Sequence, residues 1–435
     1  MQYIDNILFV AILGAGIWFF AKNIKSLIRN IKLGKDIDRT DNKPERWKNM
    51  AKIALGQGKM VRRPVSGLLH IVVYVGFILI NIEVLEIVID GIFGTHRIFS
   101  QVLPESVYGF LIGNFEVLAF LVLVSVIIFW IRRNVIKIKR FWKDEMKGWP
   151  KSDGNMILYF EMILMTLFLV MNATDVHFQA MNTGNVISQF IAPLFSGLED
   201  SSLHLIERGA WWLHIVGILI FLNYLYYSKH LHILLAFPNT FYANLKPKGQ
   251  FTNDANVTKE VMMMMDPSAD PYAMPEEGTE EEISTFGAKD VTDLSWVNLL
   301  NAYTCTECGR CTSECPANLT GKKLSPRKVM MDTRDRLEEV GKNIDANNGE
   351  FKDDGKNLFD WITKEEIWAC TSCNACVETC PVNIDPLSII MDMRRYLVME
   401  ESAAPAELNN MMQNVENNGA PWPYNQMDRL KWVDE

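Results

Sequence analysis

The sequence predicts an all-α chain in two parts, a five-helix transmembrane bundle followed by a smaller all-helical domain outside the bilayer. Three observations predict it. Five apolar runs, at about residues 7–21, 65–89, 106–131, 156–171 and 209–227, are long enough or nearly so to cross a hydrocarbon core about 30 Å thick. Lys and Arg crowd alternate loops between these runs. Beyond residue 245 the chain turns polar and acidic, and all eight of its cysteines fall there, in two copies of one spaced motif.

The first run has no small-residue cleavage site behind it, so it reads as an anchor rather than a removed leader. The second and third exceed the length of ordinary buried helices, and their polar exceptions sit near one end. Residues 22–64 contain thirteen Lys and Arg and residues 132–151 eight, whereas loops 90–105 and 172–208 offer only Arg97 and Arg208. The positive-inside rule then puts the N-terminus outside, and the basic loops and everything after the fifth helix in the cytoplasm. The expected location is the inner membrane, multi-pass. A net charge of −9 argues against a nucleic-acid binder.

Residues 1–245 form the expected membrane domain. Residues 246–290 read as a flexible acidic linker, with Met262 to Met265 in a loop, then Pro267, Pro271, Pro275 and the run Glu276 to Glu282. Residues 291–400 read as the helical domain. Ser325-Pro326 opens a charged helix with Val329, Met330, Leu337 and Val340 on one face, and 387–397 is helical again. Residues 401–435, rich in Asn and Met, read as a partner-docking tail too short for a core of its own.

The strongest signal is the cysteine motif. It reads Cys305-x2-Cys308-x2-Cys311-x3-Cys315-Pro316, then Cys370-x2-Cys373-x2-Cys376-x3-Cys380-Pro381. This is the run that wraps a [4Fe–4S] cubane, three thiolates on a tight loop and the fourth serving the neighbouring cluster. Cys305, Cys308, Cys311 and Cys380 are therefore expected to hold one cluster, and Cys370, Cys373, Cys376 and Cys315 the other. A disulfide framework needs an oxidising compartment and leaves the prolines unexplained. Paired zinc knuckles leave the third cysteine of each run unexplained.

Of seven histidines, His96 and His204 lie in outer loops. His214 and His232 are eighteen residues apart, five turns of a continuous helix, which puts them on one face at opposite depths. His230 points away from that face. His70, one turn into the second helix, shares the cytoplasmic depth of His232. Two readings stay open: a pair of axial ligands to a b-type haem, or a headgroup-binding His232 and a His70 bonded to a neighbour. Glu83 and Glu86 at the outer end of helix two, with Asp175 after helix four, form a candidate site for quinone protonation, Glu116 lying deeper; interfacial groups reaching water are the plainer reading.

With these residues in view, the membrane part resembles the cytochrome b (gamma) subunit of respiratory nitrate reductases. The second part resembles the helical two-cluster ferredoxin of heterodisulfide reductase C-type and anaerobic glycerol-3-phosphate dehydrogenase C-type subunits. The latter likeness rests on Cys305 to Pro316, Thr320-Gly321 to Leu324-Ser-Pro326, and Trp368-x-Cys370 to Pro381. The resemblance implies an inner haem on His70 and His232 and a second haem with His214 as one ligand. Its other ligand would fall at Ile80, which binds no iron; His177 is the candidate replacement, or a plain loop histidine. It further implies menaquinone as the quinone. Gly419-Ala-Pro-Trp422 to Arg429-x2-Trp432 resembles the segment that leads into a cysteine-rich CCG domain. The expected role is a membrane electron-transfer subunit of a quinone oxidoreductase. Nucleotide, flavin and molybdenum motifs are lacking, so substrate chemistry is expected on a partner: a heterodisulfide reductase B-like CCG-domain protein, an electron-transfer flavoprotein or a dehydrogenase. The rival is a haem-less anchor, or an iron–sulfur sensor of redox state.

Overall fold

The computed structural model describes residues 3–266, 268 and 285–434, and among these it is helical throughout, with a single isolated parallel bridge between Lys35 and Ser295. Five long apolar helices are present: α1 (Ile4–Ile31), α2 (Pro64–Phe93), α3 (Glu105–Asn134), α4 (Trp149–Thr174) and α5 (Asp200–Tyr224). Each outruns its apolar segment because polar first and last turns continue the hydrogen-bond ladder beyond the greasy middle. Pro at the first or second position starts α2 and α4, where its missing N–H costs nothing.

Each helix packs on the next, and α1 closes the ring against α5. The closing contact is aromatic. Phe9 lies buried beside Trp211, ring centroids 5.5 Å apart, and covers Gly91 of α2. A Cβ at Gly91 would sit 2.6 Å from that ring, so glycine is what allows the approach.

The fifth span departs from expectation. The helix ends at Tyr224, tightens into a 3₁₀ turn over Leu225–Tyr227, and breaks at Ser228, which is extended (φ −118°, ψ 145°). Another short turn leads into α6 (His232–Phe241). The cause is Asp153 of α4, which accepts from Tyr224 Oη at 2.6 Å and from the Lys229 amide at 3.2 Å, diverting the backbone from its own ladder. His214 and His232 are therefore not on one continuous helical face.

Met262–Met265 are also helical rather than looped. They end α7 (Ala255–Met265), in a stretch free of Gly and Pro. Glu276 to Glu282, with Pro267, Pro271 and Pro275, lies outside the described residues.

The second domain is built on α8 (Trp296–Thr304), α9 (Pro326–Ala346) and α10 (Pro386–Met399). Ser325 caps α9 by accepting from the Lys328 amide, and Val329, Met330, Leu337 and Val340 are all buried on its inner face. Asp385 caps α10 in the same way. In α11 (Ala406–Asn418) no residue is buried.

This domain is docked against one end of the bundle. The Lys35 amide donates to Leu294 O at 2.8 Å, and buried Asn30 donates to Tyr303 Oη at 3.0 Å. Arg327, fully buried, reaches Arg140 O at 2.6 Å and Glu145 at 2.7 Å. Arg62 pairs with Glu378 and Arg63 with Glu314. The basic loops and the cysteine domain thus share one end of the bundle, called proximal below; the other is distal.

Candidate metal centres

Both cysteine loops are bent by the same device. Between the first and third cysteine of each run, two residues take left-handed backbone: Glu307 (φ 52°) and Gly309 (φ 70°) in the first, Ser372 (φ 56°) and Asn374 (φ 59°) in the second. These are equivalent positions, two and four residues after the first cysteine. Turns of that hand curl the chain around its thiols. Asn and Gly suit such backbone; Glu307 needs other support. It gets it from ion pairs to Lys229 and, at 2.8 Å, Arg334. Burial raises the Glu307 pKa, but the two cations outweigh it and hold the carboxyl below its usual range.

Cys305, Cys308, Cys311, Cys376 and Cys380 line one cavity together with Pro381. Cys315 lies within electrostatic range of Cys370 and Cys376, which also neighbour Cys373. All eight cysteines are unbridged. Burial pushes the Cys305 thiol up to about 12 and Cys380 up to about 11. Such thiols give up their protons only to a strong Lewis acid, which iron supplies. The Ser372 amide points at Cys370 Sγ (3.4 Å) and the Ile384 amide at Cys380 Sγ (3.3 Å), placing donors where sulfur charge would accumulate.

At the proximal end of the bundle, His70 of α2 and His232 of α6 face each other with ring centroids 6.4 Å apart and planes 41° from parallel. His232 Nδ1 donates to Lys229 O at 3.1 Å, which leaves Nε2 free, and burial holds its pKa down so the ring is neutral. His70 Nδ1 is buried without a partner. His230 completes a cluster, its ring 5.5 Å from that of His232. Arg310 of the first cysteine loop lies within electrostatic range of His70 and donates to Lys59 O at 3.2 Å. The break at Ser228 is thus what turns His232 toward α2.

The distal carboxylates meet a partner that sequence reasoning passed over. Arg97, counted there only as a loop charge, is 5 % exposed and sits at the centre of a network. It donates to Asp175 at 2.6 Å, Asn172 Oδ1 at 2.8 Å and Tyr108 Oη at 3.3 Å. Asn172 passes a hydrogen bond to Glu116 at 3.0 Å, and Glu116 also accepts from the Ile187 and Ser188 amides. Glu86 accepts from the Phe99 amide at 2.7 Å. Burial raises the Asp175 pKa, but hydrogen bonds from His96 and Arg97 prevail and hold it well below the usual carboxylate range. Glu86 and Asp175 are therefore tied into structure. Glu83, 2 % exposed, keeps an oxygen without a partner.

His214 is 1 % exposed, lies tilted against Phe168 with ring centroids 6.0 Å apart, and donates through Nδ1 to Leu164 O at 3.0 Å. Leu164 lies ten residues before the distal end of α4, so His214 is buried about 15 Å below that end. His177 is exposed beyond it, ring to ring with His96. The structure does not bring these two together.

Residues 304–384 match the 4Fe-4S dicluster domain family. Over 99% of its length the chain is 28% identical to a probable iron-sulfur-binding oxidoreductase of Bacillus subtilis, spanning 61% of that protein. It is 26% identical over 92% of its length to the EtfAB:quinone oxidoreductase of Syntrophomonas wolfei, spanning 55% of it. A shorter match, 32% identical over 34% of this chain and 24% of the relative, is to a probable membrane-anchored ferredoxin of Chromohalobacter salexigens. No solved structure matches. The chain thus spans less than two thirds of the length of these relatives. With the five long apolar helices, these matches make it a multi-pass membrane protein with a two-cluster iron–sulfur domain and an electron-transfer role.

Proposed function

We propose that this chain carries electrons between a cytoplasmic partner and the quinone pool, through two [4Fe–4S] clusters and one b-type haem. Cys305, Cys308, Cys311 and Cys380 hold the cluster nearer the membrane; Cys370, Cys373, Cys376 and Cys315 hold the one nearer the partner. His70 and His232 would hold the haem iron. The observation that carries the reading is their spacing. Two imidazoles on one iron, with bonds of about 2.0–2.1 Å, put their ring centres about 6.4 Å apart, and these two rings stand 6.4 Å apart. The unpartnered Nδ1 of His70, the Nε2 left free on His232 and the neutral state of that ring all suit a ligand pair. When bound, haem supplies a one-electron station inside a low-dielectric membrane.

His214 has no imidazole opposite it, so a second haem forms no part of the proposal. Glu83 lies thirteen residues along α2 from His70, about 20 Å, a long way for an electron without a stepping stone. The quinone headgroup is therefore assigned to the proximal end. A cavity of about 210 Å³ lies there between Trp149, Tyr226, Lys229, Tyr303 and Arg334. Its aromatic rim suits the membrane interface. Tyr226 offers a hydrogen bond to a carbonyl, Asp335 and Glu338 accept or return protons, and Tyr303 is two residues from Cys305. The domain faces the cytoplasm, as the basic loops on its side of the bilayer favour. The partner is a flavoprotein or dehydrogenase, in keeping with the printed name of the Syntrophomonas relative.

The test is reduction and reoxidation of the purified protein. Dithionite is expected to produce a b-type spectrum along with reduced-cluster resonances, and a menaquinone analogue to reoxidise both. Absence of the haem bands, or reduced centres that ignore the quinone, would refute the reading.

A further inference from the structure

We propose that the distal face carries a binding site for a divalent transition metal of the zinc class, built by His96, Asp175 and Glu207. Nothing in the electron path uses these residues. They come from three segments: His96 from the loop after α2, Asp175 from the residue after α4, and Glu207 from the second turn of α5. Each offers one ligand atom, and the three atoms lie within 4.8 Å of one another. His96 Nε2 is 3.2 Å from Asp175 Oδ2. That is the spacing of two neighbouring ligands around an ion with bonds of about 2.0–2.1 Å. Both carboxylates are 4 % exposed while the imidazole is 43 % exposed, so the donor set is rigid beneath and open above.

All three distal histidines gather here. The His177 ring lies 6.2 Å from that of His96, and His204 Nδ1 is 3.9 Å from Glu207. His177 or water completes a tetrahedral shell. Two arginines already balance the carboxylates, Arg97 on Asp175 at 2.6 Å and Arg208 on Glu207 at 2.5 Å. They differ in what a metal asks of them. Arg97 is buried and holds Asp175 while leaving Oδ2 shared with His96. Arg208 is one-third exposed and donates to both Glu207 oxygens, at 2.6 and 2.5 Å, so each oxygen keeps a lone pair for an ion. One imidazole with two carboxylates suits Zn²⁺ or Cu²⁺; Mg²⁺ and Ca²⁺ prefer all-oxygen shells. The ion would pin the 94–104 loop to the ends of α4 and α5.

The experiment loads the full-length protein with one equivalent of Cu²⁺ and reads its electron paramagnetic resonance. The expected signal is a single mononuclear copper with nitrogen hyperfine structure, displaced by Zn²⁺. His96→Ala and Glu207→Gln are each expected to weaken binding about tenfold or more. Both are to be compared with wild type at equal cluster content, so that a misfolded variant is recognised. Copper that binds without nitrogen coupling, fails to bind, or binds both variants as tightly as wild type overturns the proposal.

Discussion

The two ends of the bundle solve the problem of burying polar groups in opposite ways. At the distal end every buried carboxylate but Glu83 is matched on both oxygens or by a direct partner: Arg97 serves Asp175, Asn172 links to Glu116, and the Phe99 amide takes Glu86. At the proximal end the imidazoles of His70 and His232 face each other with bonding capacity unspent, that of His70 Nδ1 included. A saturated network holds a shape. An unsaturated one awaits a ligand, since a buried polar atom without a partner is costly. The contrast is the best guide to which end does chemistry.

Breaking the proximal end should have the largest effect. Cys380→Ser is expected to lose the cluster held with Cys305, Cys308 and Cys311, cutting iron bound in clusters from about eight atoms per chain toward about four; Cys315→Ser should spare that cluster and damage the other. Resonance spectra of each variant check which cluster disappears. Next, His70→Ala or His232→Ala should abolish the b-type absorption with both clusters intact, whereas His214→Ala should keep it. A His214 variant that loses haem would erase the contrast drawn here.

The distal end should respond through stability. Arg97→Ala strands Asp175 and Asn172 in a buried setting, and about 3–5 kcal/mol of destabilisation is expected. The Arg62–Glu378 pair is partly exposed (57% and 32%), so Arg62→Ala should cost about 1 kcal/mol or less. Thermal inactivation of the two variants in one detergent separates them. Glu83→Gln should alter neither haem nor quinone reoxidation if the quinone binds proximally; slowed reoxidation would move that site to the distal end.

The smallest expected effect is on pH. Asp175 has a depressed folded pKa, so it contributes stability above its unfolded value of about 3.9, and that contribution is lost as pH falls below it. Wild type should therefore lose thermal stability below about pH 4 more steeply than Asp175→Asn. Parallel curves would mean that Asp175 is not held charged.

Much of this was legible in the residues. Repeated cysteine spacing announces a loop that closes on metal, because local geometry suffices to bring three thiols together. Apolar length announces the spans for the same reason. The centrality of Arg97 was hidden because its partners come from α2, α3 and α4, and a loop arginine at the end of a span looks like any solvated charge. The break at Ser228 was hidden because its cause, Asp153, is 75 residues away. Helical periodicity assumes that the ladder continues, and a side chain from another helix can end it. The docking of the second domain was equally non-local: its anchors Asn30 and Arg327 are buried polar residues, the first in a stretch that read as a basic loop and the second in a charged helix.

The docking bears on how electrons are delivered. Arg327 reaches back to Arg140 and Glu145, Lys35 exchanges backbone hydrogen bonds with Leu294 and Trp296, and Glu307 bridges Lys229 and Arg334 within one loop of the first cluster. A carrier fastened at so many points does not swing. The gaps between its centres are fixed by packing, so turnover should follow driving force and partner encounter and be indifferent to solvent viscosity. The iron–sulfur domain is fixed to the bundle, whereas α11, with no buried residue, is not packed into it.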